Sequence, residues 1–307
     1  MSQKYEKILS LRPMEKMLLI VNPISGGKDK KKVIRAIKNG LDKSRFQWDI
    51  AFTEYSGHGT ILARETDADI IVAVGGDGTV SEVAKGISGT GKTLGIIPCG
   101  SGDGLALHLG ISRNLPKAVR QHNDSRQAII DYGTIDGKLF FCTTGVGMDA
   151  EVAWKFAKAG TRGLKTYVSK TLSVWRHYVP KEYRLEIDGE PRSIRATFIT
   201  VANINQWGNN AEIAPEASVT DGLFDITVLL PFHIWDIPGL ALRLFSRQFT
   251  KSRKVLSFRG RNVVIHHSEP MIAHFDGDPI EMGSDIHIDI HPKSIRMLIP
   301  QGGRHRV

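Results

Sequence analysis

Cysteine is scarce in this sequence, and long apolar runs are absent from it. The only two cysteines among 307 residues, Cys99 and Cys142, stand in apolar or small-residue stretches. Two such residues cannot form the disulfide framework of a small secreted domain, so we expect both to be reduced core residues. No apolar segment approaches the roughly 18 residues needed to cross a bilayer, and no signal-peptide core is visible. We therefore expect a cytoplasmic protein.

Neither charge nor composition is extreme enough to name a function. Charged residues make up 24% of the chain and apolar residues 41%, which is ordinary for a globular protein. The length suggests two domains. A net charge of +9 is compatible with nucleic acid, an anionic membrane surface or a polyphosphate ligand, and charge alone does not choose among them.

The stretch VAVGGDGTVSEV at residues 72–83 is the most informative in the chain. Its pattern predicts a buried strand, a tight turn and a helix, and Thr79 supplies a hydroxyl where that helix begins. The N–H groups at a helix N-terminus suit an anion, whereas Asp77 repels phosphate unless Mg²⁺ or a transferred proton lies between. The alternative is a simple capped turn. Three glycines in the turn leave the backbone open to a phosphate chain: Gly75, Gly76 and Gly78.

Four strand-to-helix passages follow one another in the first half of the chain. Each predicted strand ends in a turn rich in glycine or hydroxyl groups, and a helical pattern comes next. This alternation predicts a doubly wound α/β sheet whose strand ends form a ligand crevice. The strands are predicted at residues 17–21, 47–53, 70–74 and 93–98, with turns at 22–27, 53–59, 75–79 and 99–104.

Residues 86–93, GISGTGKT, fit the P-loop pattern letter for letter. A P-loop requires a strand before it and a helix after it, because the helix N-terminus must meet the phosphates. Here a predicted helix precedes and a predicted strand follows. We therefore expect no phosphate at this loop.

Closely spaced strand patterns replace the alternation after residue 129 and predict a second, β-rich domain. One predicted helix, at 234–246, carries apolar residues on one side and is followed by four cations. Such a helix suits an anionic membrane surface or simply covers a sheet. The second-half strands are predicted at 129–132, 138–143, 183–187, 194–202, 223–230, 262–267 and 286–290, the other helices at 148–159 and 165–178, and the cations are Arg247, Lys251, Arg253 and Lys254.

Six blocks in order along the chain resemble the diacylglycerol kinase catalytic family, which includes bacterial lipid kinases and, more distantly, sphingosine and ceramide kinases. The resemblance implies a nucleotide-binding α/β domain at 1–130, to which 292–307 returns, and a β-sandwich-like lipid domain at 131–291. It also implies ATP and Mg²⁺ in the cleft between them. The blocks are NPISGG at 22–27, VGGDGTVSEV at 74–83, IPCGSGDGLA at 97–106, GVGMDAEV at 145–152, DGLFDI at 221–226 and FDGD at 275–278.

The resemblance assigns two candidates for the general base. Asp276 matches the base proposed in bacterial diacylglycerol kinases, and sphingosine kinases give that role to the aspartate matching Asp77. We favour Asp276 as base and Asp77 as a Mg²⁺ ligand. The Mg²⁺ candidates are Asp77, Asp221 and Asp278. The nucleotide-binding candidates from turns and resemblance together are Asn22, Ser25, Gly26, Thr53, Gly75, Gly76, Gly78, Thr79, Ser101, Arg162 and Asp278.

Two positions depart from the bacterial diacylglycerol kinase pattern. Gly104 stands where those enzymes carry a second acid, and Asp278 replaces a glutamate. The first departure favours the sphingosine and ceramide kinase side. Asp149 points the same way, because it resembles the acid that holds a sphingoid head group. The alternative for Asp149 is a helix N-cap.

We therefore expect an ATP-dependent lipid kinase that transfers the γ-phosphate to a primary hydroxyl of a diacylglycerol or a sphingoid or ceramide-type lipid. It would act transiently at an anionic membrane surface, with no nucleic acid partner and with homodimer formation left open. One alternative is an NAD kinase-like enzyme, which the NPISGG and FDGD blocks disfavour. A non-catalytic nucleotide- or lipid-binding protein is the other.

Overall fold

A computed structural model describes residues 14–27, 29–157, 171 and 173–301. The strands are β1 (Glu15–Val21), β2 (Phe46–Phe52), β3 (Ile70–Gly75), β4 (Thr93–Pro98), β5 (Ser125–Ile135), β6 (Lys138–Phe140), β7 (Thr143–Gly147), β8 (Lys181–Ile187), β9 (Glu190–Ala196), β10 (Phe198–Ala202), β11 (Phe224–Leu229), β12 (Val255–Gly260), β13 (Asn262–His266), β14 (Met271–Phe275), β15 (Asp278–Met282) and β16 (Asp285–Pro300). The helices are α1 (Lys30–Gly40), α2 (His58–Glu65), α3 (Asp77–Ile87), α4 (Gly104–His108), α5 (Leu115–Gln121), α6 (Met148–Ala157) and α7 (Ile237–Phe245).

The first four strands form a parallel sheet in the order β2-β1-β3-β4. Every residue of β3 and β4 is buried, as expected for parallel strands covered on both faces. Helices α1 and α5 pack on one face through Val33, Ile37 and Val119, and α2 and α3 pack on the other through Ala63 and Val83. The predicted doubly wound architecture is confirmed.

The long strand β16 connects this parallel sheet to an antiparallel one. Arg296 and Met297 pair with β4, whereas residues 285–289 pair with β13, which continues through β8 to β9. β5 runs antiparallel to β16, and the register shifts between His291 and Ile295. Both predicted domain boundaries, at 130/131 and 291/292, therefore fall inside one strand pair, close to its irregularity.

A second sheet of six antiparallel strands, in the order β12-β11-β10-β7-β14-β15, packs on the antiparallel part of the first. Their facing side chains form one core that includes Ile199 and Ile226 from the second sheet and Leu185 and Ile265 from the first. The C-terminal half is thus a β-sandwich, as the fold prediction states. Among the described residues, no helix is long and apolar enough to cross a membrane.

Two predicted strands are each divided in the structure. The chain leaves one sheet and enters the other at Thr197, so 194–202 belongs to β9 and β10, and the Thr197 N–H bonds to the Leu229 carbonyl at 2.7 Å. The stretch 138–143 ends as β6 at Phe140, because the N–H groups of Phe141 and Cys142 bond to a side-chain carboxylate instead of a strand.

Sequence patterns missed helix α5 and strands β12, β14 and β15. The edge strand β15 contains Pro279 and little apolar sequence, which a strand at a sheet edge tolerates. β12 lies at the opposite edge and exposes Leu256 and Ser257. Half of the predicted helix 165–178, namely 165–170 and 172, and the end of 148–159 lie outside the described residues. The predicted helix 234–246 begins as a 3₁₀ turn, Ile234–Asp236, and continues as α7.

Residues 86–93, which fit the P-loop pattern, lie at the junction of α3 and β4, as predicted. Their lysine, Lys92, stabilises the fold. The Lys92 ammonium donates to the carbonyls of Ala63 at 3.0 Å, Arg64 at 3.1 Å and Thr66 at 2.6 Å, at the C-terminus of α2. A cation suits that end of a helix because the carbonyls there have no helical partners.

Lys92→Met is therefore expected to lower the free energy of unfolding by about 1–2 kcal/mol, because it removes hydrogen bonds from a charged donor. ATP binding should not change. Denaturant unfolding and nucleotide titration measure the two effects, with the exposed Lys38→Met as control. Loss of ATP affinity at unchanged stability would instead assign Lys92 to phosphate binding.

Candidate functional site

Three loops meet at the carboxyl ends of β1, β3 and β4. The Asn22 side chain joins two of them: its amide donates to the Thr79 hydroxyl at 3.1 Å, and its oxygen accepts the Ile24 N–H at 3.1 Å. These bonds hold the turn after β1 against the start of α3. The sequence analysis predicted that these strand ends come together, because the carboxyl ends of parallel strands lie at the same edge of a sheet.

The loops approach so closely that only glycine fits at their contacts. Gly26 has φ +64°, and a Cβ there would lie 1.5 Å from the Cys99 carbonyl oxygen. A Cβ on Gly76 would lie 3.1 Å from the Gly100 Cα, and 3.5 Å from the Ser25 hydroxyl oxygen. The backbone is therefore bare over this surface, which is the arrangement that a phosphate chain requires.

Helix α3 begins directly at this surface. Its N-cap, Gly76, supplies no side-chain hydrogen bond to the first turn. Gly78 is exposed, and a Cβ there would meet nothing within 4 Å. A helix N-terminus without a side-chain cap beside an open glycine turn fits the phosphates of a nucleotide.

The remaining predicted nucleotide residues occupy different positions around this surface. Thr53 is buried at the end of β2, and Gly75 packs on Thr79, whose hydroxyl would lie 2.3 Å from an added Cβ. Ser101 is exposed, and its carbonyl accepts from Arg113 at 2.9 Å. Asp278 is exposed at the start of β15. Arg162 lies outside the described residues.

Asp77 holds two of these loops together. Its carboxylate oxygens accept the N–H groups of Asp103 and Gly104, each at 3.0 Å, so the first turn of α3 is fixed to the start of α4. Removal from bulk water raises the pKa of Asp77 to about 7, together with the neighbouring carboxylates of Asp103 and Asp276. The site therefore contains a carboxyl group that titrates near neutral pH.

Asp276 reaches the same place from the six-stranded sheet. It occupies, with Gly277, a two-residue hairpin turn between β14 and β15, and both residues have positive φ. Its carboxylate accepts the N–H groups of Phe141 at 2.8 Å, Cys142 at 2.6 Å and Thr143 at 3.1 Å. Burial raises its pKa despite these bonds.

Cys142 lies beside both aspartates. Burial raises the pKa of its thiol, and so do the carboxylates of Asp276 and Asp77. A Cβ on Gly104 would lie 3.5 Å from its sulfur. The two candidate bases therefore lie close to each other, one carried by the parallel sheet and one by the sandwich.

Asp103 is a site residue that sequence reasoning missed. It is buried at the N-cap of α4 with φ +50°, its carboxylate accepts the Gly100 N–H at 2.8 Å, and it lies 3.6 Å from the Arg113 guanidinium. The only sequence signal for Asp103 was its place in the glycine-rich SGDG block. Aspartate tolerates the left-handed conformation that such a turn requires.

Asp149 lies in the first turn of α6, buried within a polar cluster. One oxygen accepts the adjacent Ala150 N–H at 2.8 Å, and the other accepts the Thr200 hydroxyl at 2.8 Å and lies 3.3 Å from Nε2 of His274. The Nδ1 atom of His274 is buried without a hydrogen-bond partner among the described residues. Sequence reasoning selected Asp149 but missed Thr200 and His274.

Asp221 is engaged elsewhere. Its carboxylate bonds to the Arg259 guanidinium, which also lies 3.5 Å from Asp225. Within the described part of the chain, no three His, Cys, Asp or Glu side chains form a metal-binding group, so Asp77, Asp221 and Asp278 do not make one three-carboxylate site. A single carboxylate suffices for a Mg²⁺ ion that is held mainly by nucleotide phosphates. Asp77, beside the glycine-lined surface at the strand ends, fits that arrangement.

The pKa of Asp77 predicts an acidic limb in the pH profile. Because the pKa is raised, the carboxyl is protonated below about pH 7, and activity that needs the anion should fall tenfold per pH unit there. The limb in kcat/KM for ATP should lie near pH 7. In kcat it should move to lower pH if bound Mg²⁺ favours the anion. Initial rates from pH 5 to about 9 measure the acidic limb of kcat/KM and that of kcat. A flat kcat/KM profile would show that activity does not need the ionised carboxylate of Asp77.

Both parts of the chain match models of kinase-related families. Residues 16–135 match the diacylglycerol kinase catalytic domain, and residues 142–299 match the YegS C-terminal NAD kinase beta sandwich-like domain. A diacylglycerol kinase of Bacillus subtilis is 27% identical over 273 residues, covering 86% of this chain and 90% of that protein. One of Staphylococcus carnosus is 24% identical over 272 residues, covering 85% and 87%.

Solved structures show the same architecture. A putative diacylglycerol kinase of Bacillus anthracis superposes with a TM-score of 0.80 at 23% identity, covering 95% of this chain and 99% of that one. At this identity the likeness is one of fold. The two family models together cover most of the chain, and they show that it belongs to the diacylglycerol kinase family.

Proposed function

We propose that this protein uses Mg²⁺-ATP to phosphorylate a primary hydroxyl of a diacylglycerol or of a sphingoid or ceramide-type lipid. The observation that carries the proposal is that Asp276, from the sandwich, and Asp77, from the parallel sheet, lie close together beside the glycine-lined strand ends. Phosphoryl transfer needs a positioned hydroxyl, a proton acceptor and cations at the phosphates, and these two carboxylates could supply the acceptor and a ligand for such a cation.

Residues of the parallel sheet and residues of the sandwich would have different roles in the reaction. The bare backbone at Gly26, Gly76 and Gly100 would bind the phosphates, and Asp77 would hold Mg²⁺ against them. That ion neutralises charge developing on the transferred phosphoryl group. Asp276, which belongs to the sandwich, would accept the proton of the lipid hydroxyl.

The buried Asp149 favours an amine-bearing lipid within this range. A sphingoid ammonium could replace His274 as the partner of this carboxylate, because both present a donor to the same oxygen. Diacylglycerol has no such group. The relatives named above are diacylglycerol kinases, so the two substrate classes must be compared directly.

The test is a panel of lipids in mixed micelles, assayed with one preparation and labelled ATP. Diacylglycerol, ceramide and sphingosine should be offered beside NAD, because one half of the chain matches a domain described as NAD kinase-like. Labelling of at least one lipid is the expected result. Labelling of NAD alone would replace the proposal with an NAD kinase, and ATP binding without transfer to any acceptor would make the protein a binding protein.

A further inference from the structure

Helix α7 is apolar on two sides, and only one of them is covered. Its sequence, IPGLALRLF, contains one charged residue, Arg243. Leu240 is buried, and Leu244 packs against the same core. A helix that is apolar all round is normally buried, so the uncovered side requires an apolar partner.

The uncovered side forms a continuous stripe with the preceding 3₁₀ turn. Trp235 is 89% exposed, Leu242 71%, Phe245 56% and Ile234 55%. Leu242 and Phe245 are three residues apart, and Trp235 precedes Leu242 by seven residues, which are the spacings of one helix face. Ile234 is adjacent to Trp235. Isolated exposed apolar residues are ordinary, but four large ones in one stripe mark an interaction surface.

Cations follow the stripe in sequence. Arg243 belongs to α7 itself, and Arg247, Lys251 and Arg253 follow it. Arg247 pairs with Glu212 at 2.7 Å, whereas Arg243, Lys251 and Arg253 form no ion pair among the described residues. An apolar stripe containing tryptophan, with uncompensated cations nearby, has the chemistry that recognises an anionic lipid surface.

The stripe and the predicted lipid head-group site share one side of the six-stranded sheet. Phe198 of β10 packs in the core under α7, and Thr200, two residues further along the strand and so on the same face, bonds to Asp149. The two sites are therefore supported by the same strand.

We propose that the stripe of Ile234, Trp235, Leu242 and Phe245, with Arg243, Lys251 and Arg253, docks the protein on an anionic lipid surface. The biological role of this docking rests on the proposed lipid kinase function. Binding can nevertheless be measured without ATP or turnover. The stripe inserts among the acyl chains near the head groups, and the cations contact the lipid charges.

The experiment is cosedimentation of the full chain with phosphatidylcholine vesicles, with and without phosphatidylglycerol. Trp235→Ser combined with Leu242→Ser should lower binding to the anionic vesicles by roughly tenfold or more, because it removes the two most exposed stripe residues. Lys251→Glu with Arg253→Glu should lower it by roughly fivefold per cation, and added salt should reduce this effect.

Ile61→Ser combined with Ile129→Ser is the matched control, since Ile61 is 42% and Ile129 46% exposed outside this region. It should bind vesicles like the unaltered protein, and thermal unfolding should show that all variants fold. Equal binding of the stripe variant and the control would overturn the proposal. So would absence of vesicle binding together with a dimer, detected by light scattering, that only the stripe variant loses; that result would assign the surface to a second copy of the chain.

Discussion

Asp276→Asn is expected to lower turnover by on the order of 10²- to 10⁴-fold while ATP still binds, because it removes the proposed proton acceptor and leaves the nucleotide loops in place. Asp77→Asn should also weaken nucleotide binding and the response to Mg²⁺. Steady-state rates over a Mg²⁺ series, with nucleotide titration, separate the two.

The structure provides a control for the mechanical role of Asp276. Asp188 also begins a two-residue Asp-Gly hairpin with positive φ, and its carboxylate accepts the N–H groups of Arg261 and Asn262 at 2.9 Å. Asparagine at 276 keeps only one of the two accepting oxygens, whereas both bonds at Asp188 go to a single oxygen. Alanine at 188, which removes that oxygen, is therefore the matched loss of hairpin bonds.

Asp188→Ala should therefore reproduce the loss of stability without the loss of turnover. If Asp276→Asn behaves like Asp188→Ala, the carboxylate of Asp276 only secures the hairpin. If Asp77→Asn alone loses turnover at unchanged ATP affinity, Asp77 is the base.

Gly26→Ala is expected to weaken ATP binding by at least tenfold. The added Cβ would lie 1.5 Å from the Cys99 carbonyl oxygen, so the turn after β1 must move away from the loop after β4. The positive φ adds roughly 1–2 kcal/mol of strain. Nucleotide titration measures the loss, and thermal unfolding measures the strain.

Gly89→Ala separates the two effects. Gly89 has φ +74°, but an added Cβ would meet nothing within 4 Å, and it lies in the turn between α3 and β4. This variant should lose stability through strain and keep its ATP affinity. Equal ATP affinities in the two variants would show that close loop packing at Gly26 does not form the phosphate site.

The sequence predicted the parts of the site that depend on local geometry. Glycine turns after buried strands must converge when the strands are parallel, so the surface around Gly76 followed from pattern alone. The Asp-Gly pair at 276–277 is likewise a strong hairpin signal. No local pattern shows which groups bond to each carboxylate. Asp276, for example, accepts the N–H group of Cys142, which lies 134 positions earlier in the chain.

Long-range pairing also determines what the sequence patterns did not show. Asp221 was predicted as a Mg²⁺ ligand with Asp77 and Asp278, and the fold places Arg259 on its carboxylate. The segments 138–143 and 194–202 were each predicted as one strand because apolar and β-branched residues predominate along both. They are divided where the backbone changes partners between sheets, and this change depends on strands that lie far away in sequence.

The position of β16 has a consequence for how the chain folds during synthesis. β4, which is complete by Pro98, pairs on one side with β3 and on the other with Arg296 and Met297. β5 pairs with the same last strand over most of its length. A ribosome must therefore release almost the whole chain before the first sheet can close. Until then, β4 and β5 carry unpaired edges that can capture other strands. The slow step of folding should accordingly be the docking of this terminal strand, a closure across some 200 residues that local helix formation cannot accelerate.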